Sequence, residues 1–437
     1  MTTPPRLMMD VYEEHLNEAS FLWTQWERSL VAPDRNLAEV VGQEERLLAH
    51  LDGLVLGGQE VFEQLLAPVL EIGEQTELSS AALALLEENG AGVKRILERL
   101  VDGDESQRAG VQRALELSHV PQPGLLLPLL RATEPDVQAS VLEVLVFRGV
   151  ASVDTLMGFL SHETPRLRRA AVRGLSAHPG KASRDALRSA LNADDPGTRL
   201  AAIETGLISG SRAAWVACRL LVEQRAAGFR EALVPLSLGR GERELELLLE
   251  LLQEPDLRPS VLWALGFSGN VSAAEACLLL MGEERRIAAL AGEAFSAITG
   301  LRLEGAYVRN GDKEPEEPIP LKEEELDASL APGPEDALKV PAPAAVEAWW
   351  REARPRFDRN TRYLMGNPFS AQLLLDALQN GPMRRRGVLA LELAIRSRGQ
   401  SQLQTRAFTQ RQLLELSQAR ASSATLSTGR FETMLYD

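Results

Sequence analysis

Apolar residues recur along this chain at intervals of three and four, the spacing of one helix face, and the pattern itself repeats. The stretches from Glu134 (EPDVQASVLEVLVFRG), Thr164 (TPRLRRAAVRGLSAHP), Asp195 (DPGTRLAAIETGLISG) and Glu254 (EPDLRPSVLWALGFSG) echo one another. Their prolines, Pro135, Pro165, Pro196 and Pro255, are 30, 31 and 59 residues apart, the last close to two steps. Counted from the proline, position +7 is Leu142, Val172, Ile203 and Leu262, and +10 is Leu145, Leu175, Gly206 and Leu265. With Gln138, Arg168, Arg199 and Arg258 at +3, these run along the side of a helix that faces its neighbours. Proline suits the first turn, Asp195 or Thr164 before it caps, and Gly149, Gly210 and Gly269 end the helix. A second helix follows, with Leu156, Ala186, Ala217 and Ala276 at +21 and Leu160, Ala190, Leu221 and Leu280 at +25. Paired helices at a step near 30 predict an α-solenoid.

Weaker units at Gln224–Gln253 and Glu284–Gly300 bring the array, residues 103–309, to about six. Before it, Leu16, Ala19, Leu22, Trp23 and Trp26 mark an amphipathic helix, broken at Pro33 and Asp34. A second helix should end near Gly57 and Gly58, and 59–102 read as two more; residues 1–102 are expected to cap the first apolar face of the array. Residues 310–346 hold seven prolines and ten acids against three lysines, which predicts an extended acidic linker or a segment docked on a basic surface. Residues 347–437 are helical again, and Pro382–Gly399 has the look of another repeat helix, with Arg384–Arg386 where the +3 arginine would fall.

Charge narrows the partner class. The chain of 437 residues has 47 Lys+Arg and 62 Asp+Glu, a net charge of −15. Residues 347–437 carry 14 arginines against 8 acids, +6, which leaves −21 on residues 1–346. Such a body repels nucleic acid and anionic lipid, and favours a protein partner with a basic surface. No signal peptide and no apolar run of about 20 residues is visible, so a soluble, cytoplasmic protein is expected. Cys218 and Cys277 both fall at +22, the slot that Met157 and Leu187 fill elsewhere, and read as small core residues in a reducing compartment.

No Walker loop, His–Glu–x–x–His, Gly–x–Ser–x–Gly or Cys–x–x–Cys is present, and His15, His50, His119, His162 and His178 are scattered. No enzyme activity, metal or cofactor is expected. The residues singled out for protein binding are Arg384, Arg385 and Arg386, for bidentate contacts to carboxylates, and Trp349 and Trp350 as interface anchors. On that expectation Arg385→Glu weakens partner capture and leaves thermal melting unchanged.

The Pro–x–x–Arg–x–x–Ala–x–x–Ala–Leu–Gly pattern resembles bacterial HEAT-like repeats, including the phycobilin-lyase type. HLNEASFLWTQWERSL, LLAHLDGLVLGG, RYLMGNP and LALELAIRSRG resemble the ends of an uncharacterised proteobacterial HEAT-repeat family found near type VI secretion genes. The fold expected is all-α: a right-handed solenoid of HEAT-like hairpins whose second helices line an extended concave surface. The function expected is a non-enzymatic scaffold or adaptor, and the resemblance implies loading or assembly of a type VI secretion cargo or spike. The alternative is a cytoplasmic immunity protein that blocks a toxin, and a lyase-type enzyme ranks below both.

Overall fold

The computed structural model describes residues 8–87, 91–132, 134–309 and 333–436; residues 310–332 of the expected linker lie outside the described residues. Among the described residues the chain is an all-α solenoid, with one small hairpin pairing Tyr363–Leu364 with Asn367–Pro368. The opening prolines and Asp195 do the work expected of them, whereas Thr164 stands at the cap position and makes no side-chain cap bond. Pro135, Pro165 and Pro196 open the helices Pro135–Arg148, Pro165–Gly174 and Pro196–Ile208, and the Asp195 carboxylate accepts from Thr198 N–H at 2.7 Å. The +7 and +10 residues of all four repeats are buried. Glycine at +10 in the third, Gly206, lies where a Cβ would collide with Ala214.

The +3 side chain has a second task, which is to tie down the turn before its own helix. Gln138 donates to Leu130 O (2.9 Å), Arg168 to His162 O (2.7 Å) and Arg199 to Ala193 O (3.1 Å). Helix ends leave such carbonyls without intrahelical partners, so these side chains satisfy groups that would otherwise need water. Arginine recurs there for packing of the repeat, with no ligand required.

The second helices include Val153–Met157, Lys181–Ala190, Arg212–Glu223, Glu242–Leu251 and Val271–Leu280. Cys218 and Cys277 are fully buried and free, and burial pushes the Cys277 thiol up to about 12. Met157 is a correction: it is exposed, because in that short helix Leu156 takes the inward slot. At the amino end Met9–Ser29 and Leu37–Leu56 form as expected, and Asn36 and Glu39 make a reciprocal capping box. Residues 58–102 hold more helix than the two segments expected, since a helical stretch from Gly58 to Ile72, containing one π turn, precedes Gln75–Glu87 and Ala91–Asp102.

Successive first helices stack directly on one another. The row runs from Met9–Ser29 through Gln75–Glu87, Glu105–Leu117, Pro135–Arg148, Pro165–Gly174, Pro196–Ile208, Phe229–Leu238 and Arg258–Ser268 to Arg285–Thr299. Eight steps at the usual 8–10 Å between axes would span roughly 65–80 Å if straight. Yet Arg384 reaches both ends. Its backbone N–H donates to Ala32 O (3.0 Å), just past the first helix, and its Nε meets Glu293 (3.2 Å) in the last. The row is therefore curled, first helices inward, around the helix Met383–Arg396.

The expected concave surface lined by second helices is thus corrected on two counts: first helices line the inside, and the chain's own carboxyl-terminal region fills it. That region takes up the carbonyls left free at the ends of successive first helices. Arg411 donates to Phe147 O (3.0 Å), Gln402 to Ser176 O (2.6 Å), Tyr436 N–H to Gly210 O (2.9 Å), Phe431 N–H to Gly239 O (3.2 Å) and Tyr363 N–H to Gly269 O (2.8 Å). Gly269 is needed there, because its φ is +66° and a Cβ would strike the Tyr363 carbonyl. Pro382–Gly399 accordingly does not extend the stack as another repeat. Met383–Arg396 is buried over most of its surface, with Gly387 exposed and Arg384, Val388 and Leu391 partly so; it therefore buries charged groups as well as apolar ones, and the charged groups need partners inside the protein.

Candidate partner-binding groove

The five residues singled out from the sequence have different fates, and most are inside. Arg386 is completely buried: it donates to Leu378 O (2.6 Å), a carbonyl near the end of the helix Ala371–Asn380, and to Gln412. Arg385 is buried against Phe267, 3.9 Å from the ring centroid, and donates to Gly266 O (2.8 Å). Burial draws both guanidinium groups down to about 10. Neither side chain faces solvent, which corrects the expectation that both meet a partner; the curl of the array has covered them. Trp350 is buried in an aromatic cluster with Phe295 (5.4 Å) and Phe357 (5.2 Å), while the neighbouring Trp349 is half-buried at its edge.

Arg384 differs, because it borders open space. A groove of about 710 Å³ separates Met383–Arg396 from the inner side of the array. Its walls are apolar at Val234 and Pro235 on one side and Val388 and Leu391 on the other, with Trp263 between them. Arg384 stacks over the Trp263 ring at 4.2 Å and pairs with Glu293 (3.2 Å) and Glu335 (3.3 Å). Glu335 also pairs with Arg286 at 3.0 Å, so the returning end of the acidic segment is fixed at this rim. Exposed Arg230 and Glu231 complete the rim, and Glu204 sits deeper, its carboxyl pushed up by burial against the pull of Arg173.

Glu204 and Trp263 were missed by sequence reasoning, though a signal existed. Both occupy position +8, where the earlier repeats carry Glu143 and Arg173. This position lies beside the +7 core residue on the inward side, and a large side chain there meets whatever the curl encloses. The groove thus offers apolar contact area within a rim of both charge signs. His15 and His50, scattered in sequence, do meet in the amino-terminal helices, with their Nδ1 atoms 3.0 Å apart, and neither lines this groove. Among the described residues no group of three or more His, Cys, Asp or Glu could hold a metal ion, and no helix is long and apolar enough to cross a membrane.

One family model matches part of the chain. The model of a family described as HEAT repeats matches residues 123–207. No curated protein matches the chain. Among solved structures, the E. coli protein YibA is similar at 13% identity, covering 68% of this chain and 99% of its own, with a TM-score of 0.28. Human deoxyhypusine hydroxylase, solved with glycerol, is 16% identical over 65% of this chain and 96% of its own, with a TM-score of 0.24. An engineered protein is 13% identical over 87% of this chain and 98% of its own, with a TM-score of 0.29. Residues 123–207 thus match HEAT repeats, within an all-α solenoid that continues on either side.

Proposed function

We propose that the protein is a non-enzymatic scaffold that holds a segment of a partner protein in the groove beside Met383–Arg396. The observation that supports this most is the groove itself: the carboxyl-terminal region fills the curl elsewhere, and here an apolar floor around Trp263 lies open between charged rims. Buried aromatic anchors within a polar rim are what concentrate binding energy at protein interfaces. The −21 on residues 1–346 steers a partner with a basic surface toward it. The resemblance of the two chain ends to a family near type VI secretion genes supports a cargo or spike of that system as the partner, in the cytoplasm.

The test is affinity capture from the native cell with the full chain and with Leu391→Asp, which charges the groove wall. Loss of one captured protein with an unchanged melting temperature is expected, and equal capture by the variant refutes the groove. A deletion strain then separates the roles. Failure to secrete a cargo supports the adaptor, whereas sensitivity to a toxin with secretion intact assigns the immunity role instead.

A further inference from the structure

A second cavity, away from the groove, has a different chemistry. It has a volume of about 220 Å³ and lies where the end of Phe229–Leu238, the turn into Val271–Leu280 and the loop 359–362 converge. Pockets for drug-sized ligands run to about 300–1,000 Å³, so this one suits a small group. Four arginines line it, Arg240, Arg359, Arg362 and Arg430, against two glutamates, Glu242 and Glu244. Both glutamates are engaged, Glu242 with Arg430 (3.2 Å) and Glu244 with Arg219 (3.5 Å).

The acids behind the other arginines are each shared between two guanidinium groups. Glu392 serves both Arg362 and Arg396, and Glu275 serves both Arg354 and Arg359. Arg240 has no acidic partner among the described residues: its Nη1 donates only to Thr428 O, at 2.8 Å. Its backbone lies in the left-handed region at φ 67°, and its side chain lines the cavity wall. Burial and the nearby Arg362 and Arg396 draw its guanidinium down to about 10, with Glu392 opposing and Arg430 adding to the effect. In a chain of net charge −15, a partly open site lined by two more arginines than acids is set up for an anion.

We propose that this cavity binds a phosphate group. Phosphate carries about −1.5 to −2 at neutral pH and three acceptor oxygens, which answers a surplus of two and several guanidinium forks better than a single carboxylate does. Asn270, Asn360 and Thr361 supply further donors at the wall. The groove reading neither requires this site nor depends on it.

The experiment is titration calorimetry of the full chain with inorganic phosphate, O-phosphoserine and acetate at constant ionic strength. Two variants accompany it: Arg240→Asn, which tolerates the left-handed backbone, and Arg359→Gln at an exposed position. Saturable phosphate binding is expected, weakened about tenfold or more by Arg240→Asn and less by Arg359→Gln. Equal affinity for phosphate and O-phosphoserine assigns the free ion, and tighter phosphoserine binding assigns a phosphorylated side chain. No saturable binding, equal binding by both variants, or acetate bound as tightly as phosphate overturns the proposal.

Discussion

The carboxylate of Glu44 caps a helix that begins 365 residues later, at Thr409. It accepts the Thr409 N–H at 2.8 Å, the Thr409 hydroxyl at 2.7 Å and the indole N–H of Trp26 at 3.0 Å. Phe408, at the cap position of Thr409–Ala421, has no side-chain acceptor, so Glu44 fills that role from the other end of the chain and places its charge at the positive end of the helix. Burial pushes the Glu44 carboxyl up, and the bonds from Thr409 and Trp26 pull it back.

Glu44→Ala removes the cap and strands the buried indole N–H. The expected cost is about 2–4 kcal/mol, read as a lower denaturant midpoint. Hydrogen exchange should quicken across Thr409–Ala421 before it does in the repeats, since this helix loses its anchor first.

A second buried carboxylate holds the inner helix. Glu392, wholly buried, pairs with Arg362 and, at 2.7 Å, with Arg396. Burial alone would raise it, but the two arginines outweigh that and hold it at about 2, below its ordinary 4.5. A depressed carboxyl contributes stability that is present above its unfolded value and lost as pH falls toward the folded one. The melting temperature of the wild type should therefore fall between pH 4.5 and 2 partly on this account, and that part should be missing from Glu392→Gln. At pH 7 the variant should lose about 3–5 kcal/mol, because two buried arginines are left without their acid.

Arg385→Glu now has an outcome opposite to the one its sequence suggests. It places a carboxylate in the buried site beside Glu293, 3.8 Å from the present guanidinium, and opposite the Phe267 ring. A loss of about 3–5 kcal/mol is expected in chemical denaturation.

The repeat arginine supplies a milder test. Arg199 donates to Ala193 O at 3.1 Å and Ala227 O at 2.7 Å, which joins two adjacent units. Arg199→Ala should cost about 1–2 kcal/mol in thermal or denaturant unfolding.

The repeats were legible because their cause is local. Core positions +7 and +10, the opening prolines and the glycines at +14 are set by one helix and its neighbour, about 30 residues away. The closure of the curl was not, since it joins Glu44 to Thr409 and Arg113 to Glu27 and Arg406, contacts with no period in the chain. Traces of it exist. Glu44 occupies the stripe Val40, Leu47, Leu51, Leu54, where an acid has no business unless something polar is buried opposite. Arg386 and Arg396 likewise share a helix face with Met383 and Leu393. The groove escaped notice for the same reason, because position +8 looks outward until the curl gives it something to face.

The array bends round its own carboxyl-terminal helices until its two ends meet at Arg384. Pulsed electron-spin distance measurement between labels at Asp34, beside the end of the first helix, and Arg285, at the start of the last, tests it most directly; both positions are exposed. Arg384 links these neighbourhoods within one side-chain length, and the helix from Glu293 back to Arg285 adds about 12 Å, so a separation below about 40 Å is predicted. A distribution centred at roughly 65–80 Å, the length of eight uncurled steps, would contradict it.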